Sequence, residues 1–248
     1  MLLGVIDSGL GGVAVLKALY DYKNTELQAL CLVDQKNAPY GNRSKEEIFT
    51  LSYAMLKWLR ERGVSDVLVA CNTICANAFE RLQAAFVDLK LIDIIDITLA
   101  DLTDSYQNIL VLATAATVNS NVYLERISKI TRANIQQQPL SQLASLIENQ
   151  ASEEQINDYL KPLAATFQGQ VDAVILGCTH YALVKKQIGQ LLPKAKIFDS
   201  NSAIATFAGR LPFTASAIEI YTTKDAELLK RQIDQLWHSS FMVTKVVL

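Results

Sequence analysis

Short apolar runs alternate with amphipathic segments along almost the whole chain. The runs at residues 2–6, 29–33, 67–70, 91–95, 109–113, 174–177 and 215–221 are dominated by Val, Ile, Leu and Ala and are too short for helices. Runs that are apolar at nearly every position, rather than every second one, suit parallel strands covered on both faces. Between them the spacing turns helical. Ser44-Lys45-Glu46-Glu47 is a capping box, followed by Ile48, Leu51, Met55 and Leu59 on one face and closed by Gly63. Val184, Ile188 and Leu191 form another stripe that stops before Pro193. The stretch 136–160 is polar and poor in β-branched residues, and it reads as a loop leading into surface helices.

Two pairs of segments resemble each other. SDVLVACNTICANAF and VDAVILGCTHYALVK share an aspartate, an apolar run, a small residue, then Cys and a polar pair opening a helical pattern. LLGVIDSGLGG and ILVLATAATVN are both apolar runs ending in hydroxyl-bearing turns. Two similar α/β halves facing each other would account for this, as would chance likeness between βα units. In sheets of this kind ligands bind at the carboxyl ends of strands, beside helix N-termini.

Length and composition narrow the picture. At 248 residues the chain can bury a substantial core as one large domain or two smaller ones. A net charge of -2 argues against nucleic acid or a polybasic membrane contact. No apolar stretch approaches a membrane span, because LIDIIDITLA carries Asp93 and Asp96. MLLGVIDSG has no basic leader, so a cytoplasmic protein is expected. Cys31, Cys71, Cys75 and Cys178 are scattered, which suits reduced thiols rather than a disulfide framework.

Cys71 and Cys178 each close a strand and precede a helical pattern, where the N-terminal field favours a thiolate. One such cysteine reads as a small buried hydrophobe. A matched pair, followed by Asn72-Thr73 and by Thr179-His180, reads as chemistry. Cys31 inside ALCLV and Cys75 inside a helix keep the packing role. His180 beside a thiol, with Asp7 at another strand end, suits acid–base work. His238, in the polar LWHSSF segment, reads as a surface residue. Pro39-Tyr40-Gly41 is an ordinary turn by itself, and Thr114 and Thr117 flank a junction where simple N-capping would explain them.

Other chemistries compete. Cys71, Cys75, Cys178 and His180 could supply four zinc ligands, but the spacing matches none of the compact ligand pairs well, and no metal is expected. Gly9-Leu10-Gly11-Gly12-Val13-Ala14 formally fits a dinucleotide fingerprint, with Asp34 ending the next strand. Asp7 directly before those glycines would repel a pyrophosphate, so close approach of backbone to a small ligand suits them better.

Taken together, the motifs carry a resemblance. Val5-Ile6-Asp7-Ser8-Gly9-Leu10-Gly11-Gly12, Pro39-Tyr40-Gly41, Ala70-Cys71-Asn72-Thr73 and Gly177-Cys178-Thr179-His180-Tyr181 resemble the signature segments of bacterial glutamate racemases, in order and at compatible spacing. The resemblance implies two similar domains, each a mainly parallel sheet flanked by helices, with the active site in the cleft between them. Residues 1–97 and 211–248 would form the first domain and 98–210 the second. It implies a cofactor-independent exchange of L- and D-glutamate, supplying D-glutamate for peptidoglycan. A cysteine from each domain, here Cys71 and Cys178, would flank the substrate α-carbon. Asp7 and His180 match the supporting acid–base residues, and Glu148 a further acidic helper. Asp7, Ser8, Tyr40, Gly41, Asn72, Thr73, Thr114, Thr117, Thr179 and His180 match substrate-contacting positions. A homodimer is implied too.

There are departures. Val33-Asp34-Gln35-Lys36-Asn37 stands where the family usually reads Gly-Asp-Thr-Ala-Arg. Ile74-Cys75 replaces Ala-Ser, Ala182 replaces a proline, and Ala113-Thr114-Ala115-Ala116-Thr117 lacks the usual arginine. All catalytic positions are kept, while turnover and side-chain selectivity are left open. Aspartate racemases of the wider group tend to carry Glu after the second Cys-Thr, so His180 favours glutamate. Racemisation of aspartate, a non-catalytic two-lobed amino-acid clamp, and a nicotinamide-dependent oxidoreductase stand as alternatives. Some relatives need an activator bound at an N-terminal extension; with the first strand at residue 2, no such dependence is expected.

Overall fold

The computed structural model describes residues 2–23, 28–208, 217–238 and 241–248. Its strands are β1 (Leu3–Asp7), β2 (Gln28–Val33), β3 (Asp66–Val69), β4 (Lys90–Asp93), β5 (Asn108–Ala113), β6 (Asn134–Pro139), β7 (Ala173–Gly177), β8 (Lys196–Asp199), β9 (Ala217–Thr222) and β10 (Met242–Lys245). They form two sheets, ordered β10-β9-β2-β1-β3-β4 and β6-β5-β7-β8, and every pairing is parallel. The order β2-β1-β3-β4 in one sheet is the order β6-β5-β7-β8 in the other. The two resembling segment pairs therefore occupy equivalent strands, β1 with β5 and β3 with β7. Because the paired strands are parallel, their carboxyl-end loops lie at the same edge of each sheet.

The connecting helices are α1 (Leu10–Lys23), α2 (Lys45–Arg60), α3 (Asn72–Ala85), α4 (Ile94–Leu99), α5 (Ala115–Ser120), α6 (Val122–Ile127), α7 (Leu143–Glu148), α8 (Glu153–Leu160), α9 (Pro162–Phe167), α10 (Lys185–Leu191), α11 (Ser200–Ala208) and α12 (Ala226–Trp237). Helix α11, which follows the last strand of the second sheet, packs on α1 and α4 of the first. The α2 capping box forms as the sequence predicts: Ser44 Oγ accepts from Glu47 N, and the Glu47 carboxylate accepts from Ser44 N. Gly63 takes φ +78° just beyond the helix, a conformation open to glycine at little cost.

The central strands β1 and β7 are buried at every position, as continuous apolar runs require. The differences from expectation lie at sheet edges. Within 136–160, the predicted loop begins instead as strand β6, which is half-exposed and edges the second sheet; α7 and α8 follow and bury Leu143, Ile147, Ile156 and Leu160. Strands β8 and β10 are also edges and were not predicted. An edge strand is covered less completely, so its sequence need not be apolar throughout. The predicted strand 91–95 stops at Asp93, whose carboxylate accepts from Ile95 N and caps α4. Residues 215 and 216 of the predicted run 215–221 lie outside the described residues. No helix among the described residues is long and apolar enough to cross a membrane.

Candidate active site

The carboxyl ends of β1, β3, β5 and β7 meet where the two sheets face each other. Strand β1 ends at Asp7, fully buried, whose Oδ1 accepts from Gly9 N at 2.8 Å. Its Oδ2 accepts from Thr179 Oγ1, which follows β7, at 3.1 Å, so one carboxylate joins the two halves. Close approach is possible because the turn after β1 is glycine-rich. A Cβ on Gly11 would lie 2.1 Å from Thr179 Oγ1, and one on Gly9 1.9 Å from Glu148 Oε1.

Cys71 follows β3 and is the N-cap residue of α3; its sulfur lies 3.6 Å from Ser8 Oγ and also receives the Ile74 N–H. The strand-end placement was expected to ease thiol ionisation. For Cys71 the balance goes the other way. Burial pushes Cys71 up to about 12, the Asp7 charge adds to it, and the Ile74 and Ser8 donors offset only part. Asp7 itself is pushed up to about 6, by burial above all, with His180 and the Gly9 and Thr179 donors opposing.

Cys178 follows β7. A 3₁₀ turn, Thr179–Val184, comes next rather than the α-helix the stripe suggested; the α-helix starts only at Lys185. The Cys178 sulfur lies 3.9 Å from His180 Nδ1, and His180 Nε2 lies 2.6 Å from Glu148 Oε1. Burial opposes a charged imidazole, yet the Cys178 and Glu148 contacts outweigh it and hold the His180 pKa well above the usual value. Burial likewise works against an ionised Glu148, but donors from His180, Leu10 N and Gln35 bring its carboxyl below the ordinary range. A thiol, an imidazole and a carboxylate thus stand in line on this side.

Hydroxyls and an amide line the rest. Thr73 Oγ1 lies 3.0 Å from Thr114 Oγ1 and 3.4 Å from Thr117 Oγ1, and Thr114 donates to Thr117 at 3.0 Å. Thr114 also caps α5, so the capping role and the site coincide. Asn72 Oδ1 accepts from Tyr123 OH at 2.5 Å, while the buried Asn72 Nδ2 has no hydrogen-bond partner among the described residues. An amide donor without a partner at nearly full burial costs stability unless a ligand acceptor meets it. Gly41 sits against Thr114, where a Cβ would come within 2.6 Å of Thr114 Cβ.

Tyr40 directs its side chain to Asp34. Its hydroxyl donates to Asp34 Oδ2 at 2.6 Å and is buried with it, so only the main chain of Tyr40 is left to meet a ligand. Asp34 also accepts from Thr223 and Asn37, which occupies the carboxylate that a ribose would need. Cys75 turns to Val69 O at 3.2 Å, and Cys31 is fully buried between β1 and β9. Among the described residues no cluster of three or more His, Cys, Asp or Glu side chains is placed to hold a metal ion. His238 is exposed at the end of α12. Four groups at the site escaped sequence reasoning: the Leu10 N–H, Gln35, Tyr123 and Gln232. The departure at Gln35 was the one available signal.

Two parallel α/β units that each deliver a strand-end thiol to a common buried cleft, one beside a carboxylate and one beside an imidazole–carboxylate pair, define a class of protein built to move protons from two sides. The similarity of the chain to known proteins makes this specific. The chain belongs to the Asp/Glu/Hydantoin racemase family, whose model matches residues 4–208. It is 33% identical over 243 residues to the glutamate racemase of Aquifex aeolicus, covering 94% of this chain and 92% of that one. Its fold matches the glutamate racemase of Francisella tularensis in complex with D-glutamate, with TM-score 0.87 and 26% identity, over 99% of this chain and 97% of that one. The glutamate racemase of Aquifex pyrophilus matches with TM-score 0.81 and 30% identity, over 99% of this chain and 98% of that one.

Proposed function

We propose that this protein interconverts L- and D-glutamate by two-base proton transfer at Cα, with Cys71 and Cys178 on opposite faces of the substrate. It is an isomerase of the amino-acid racemase type. The observation that carries the reading is the pair of strand-end thiols on equivalent strands, each with its own acid–base partner. Inverting a stereocentre by proton transfer needs a base on one face and an acid on the other, and a twofold-like repeat supplies both from one kind of βα unit. As Cα loses its proton to one thiolate, the opposed thiol delivers another; the resulting protonation state serves the reverse reaction, and the two cysteines must regain their original states by proton exchange before the next turnover in the same direction. Asp7 and Ser8 serve Cys71; His180, held by Glu148, serves Cys178.

The carbanionic intermediate puts charge on the substrate carboxylate, so donors must be waiting there. Asn72 Nδ2, the α3 N-terminus and the Thr73 and Thr117 hydroxyls supply donors for that position, the Thr114 and Thr179 hydroxyls join them by turning from Thr117 and Asp7, and main-chain N–H groups of Ser8, Tyr40 and Gly41 serve the distal carboxylate. A Cys71 thiol pushed up by burial suits a reaction whose carbon acid is weak, because a base matched to its substrate transfers a proton more readily. A small amino acid is the substrate, and D-glutamate for the cell wall is the product of use. Residues 1–97 with 211–248, and 98–210, are the two domains of this reading, supported by the repeated strand order. A cytosolic home is supported by thiols that must stay reduced to work. A homodimer follows by kinship with the family.

The test is exchange in deuterium oxide. Either enantiomer of glutamate should acquire deuterium at Cα in the product enantiomer, and aspartate should not. Cys71→Ala and Cys178→Ala should each abolish racemisation and keep the fold by circular dichroism. Full activity in either variant refutes the two-thiol mechanism, and binding without exchange would mean an amino-acid clamp.

A further inference from the structure

Glu148 is the point where three elements of the first sheet's side grip the second. It lies at the end of α7, while the Leu10 N–H of α1 and the amide of Gln35, just after β2, both donate to its carboxylate. Gln35 Nε2 reaches Glu148 Oε2 at 3.1 Å and Gln232 Oε1, on α12, at 3.0 Å. Gln232 Nε2 in turn donates to the Glu148 main-chain oxygen at 2.8 Å, and Gln35 Oε1 accepts from Thr222 Oγ1 at 3.1 Å. Both amides are almost fully buried, 5% and 1% exposed. Each of their four polar atoms is used; Gln232 also satisfies the terminal carbonyl of α7, while the Gln35 bonds to Glu148 and Gln232 serve no turn, cap or ladder.

We infer that Gln35 and Gln232 form an amide clasp between the two halves that positions Glu148 against His180, and so supports the acid–base arm of Cys178. They are positioning residues: neither touches Cys178, and both act through Glu148. The inference rests on the proposed racemisation and adds residues to it. The geometry has a direct electrostatic consequence. Glu148 faces His180 on the 3₁₀ turn, Asp7 at the end of β1, and Lys224 across an outer cleft of about 200 Å³ that Gln35 and Gln232 also line. The Gln35 donor is one of the contacts that hold its carboxyl low. A carboxyl with a depressed folded pKa keeps its charge until pH falls through that value. Removing a donor raises the value, so charge is lost sooner on acidification.

Gln35→Leu and the isosteric Gln35→Glu separate positioning from packing, because glutamate fits the space but places an anion against an anion. In kcat/KM against pH, the acid limb should move upward in Gln35→Leu and further upward in Gln35→Glu. At neutral pH Gln35→Leu should lose about tenfold, the usual scale for one hydrogen bond to a charged group. Gln232→Leu should shift the limb in the same direction and by less. A readout that needs no turnover is the ring resonance of His180, one of only two histidines in the chain. Its acid-side step, which reports Glu148 ionisation, should move upward in the same order. An acid limb and a resonance step that stay in place in both Gln35 variants, or Gln35→Glu behaving as the native protein, would overturn the clasp. A native protein that fails to racemise glutamate would overturn the proposed function instead, and the resonance titration would still decide the clasp.

Discussion

Asp7→Asn should make the fold more stable while disabling it. The side chain is fully buried, and its carboxyl is pushed from 3.8 to about 6, chiefly by burial. Holding it ionised in the fold therefore costs ~3 kcal/mol relative to the unfolded chain, at 1.36 kcal/mol per pH unit. The sign follows from proton counting. Between 3.8 and about 6 the folded state binds the proton more tightly, so stability falls as pH rises through that window and levels off above it. Asparagine is neutral at every pH. Its Oδ1 can still accept from Gly9 N, and the Thr179 hydroxyl can turn to accept from Nδ2. Thermal unfolding of native protein and variant should thus differ little near pH 4, diverge through pH 6, and stay apart at pH 8. The full gap corresponds to roughly 6–12 °C for a chain of this size. Racemisation should fall at least about 100-fold, the lower end for losing a general acid–base group. A gap that is constant with pH, or a native protein that gains on the variant as pH rises, would refute the account of burial as the dominant influence. A variant that is more stable and fully active would remove Asp7 from the proposed proton path.

Three further outcomes test separate parts of the structure. Gly11→Ala would put a methyl 2.1 Å from Thr179 Oγ1 and 2.8 Å from His180 Nδ1, so the cleft cannot close; kcat/KM should fall about 100-fold with little change in melting temperature, and unchanged kinetics would mean that catalysis works in a wider cleft. Tyr123→Phe removes the hydroxyl that orients Asn72, so KM for glutamate should rise about tenfold with a smaller change in kcat; equal falls in both kcat and kcat/KM would place the amide in the transition state alone. Ser44→Ala breaks the α2 capping box away from the site, and denaturant titration should show a loss of ~1 kcal/mol with activity kept.

What could be read from the chain follows burial. Strands β1, β2, β3, β5 and β7 announce themselves because both faces are covered, and no position along them can be polar without a partner. Strands β6, β8 and β10 lie at edges, and Gln136, Gln137 and Gln138 are tolerated in β6 because it is half-exposed. The site divides on a similar line. Residues set by short motifs, such as Cys71-Asn72-Thr73 and Cys178-Thr179-His180, were legible because strand-end position and residue type coincide. Gln35, Tyr123 and Gln232 were not, because an isolated amide or phenol has no spacing to betray it. Their partners lie 113, 51 and 84 residues away in the chain. Tyr40 adds a further case: its motif position was legible, but the direction of its hydroxyl depends on Asp34, which only tertiary packing brings beneath it.

The repeat explains both the symmetry of the site and its limits. Equivalent strands β3 and β7 place one thiol each at the cleft, which is the pairing an inversion needs. The supporting groups are not equivalent. Asp7 ends β1, but its counterpart at the end of β5 is Ala113, followed by Thr114; His180 follows Cys178, but Thr73 holds the matching place after Cys71. In the proposed mechanism a carboxylate therefore serves one thiol and an imidazole–carboxylate pair the other. Because enantiomers have equal free energy in water, the equilibrium constant is one, and kcat/KM must be the same in both directions whatever the residues do. The inequality of the two arms can surface only as a difference in kcat between the two directions matched by a proportional difference in KM of the same sign. A change on one arm, such as Gln35→Leu, must change kcat/KM equally for both enantiomers, and any asymmetry it introduces appears in kcat and KM together. Any report of a direction-specific loss in kcat/KM would contradict thermodynamics before it contradicted the mechanism.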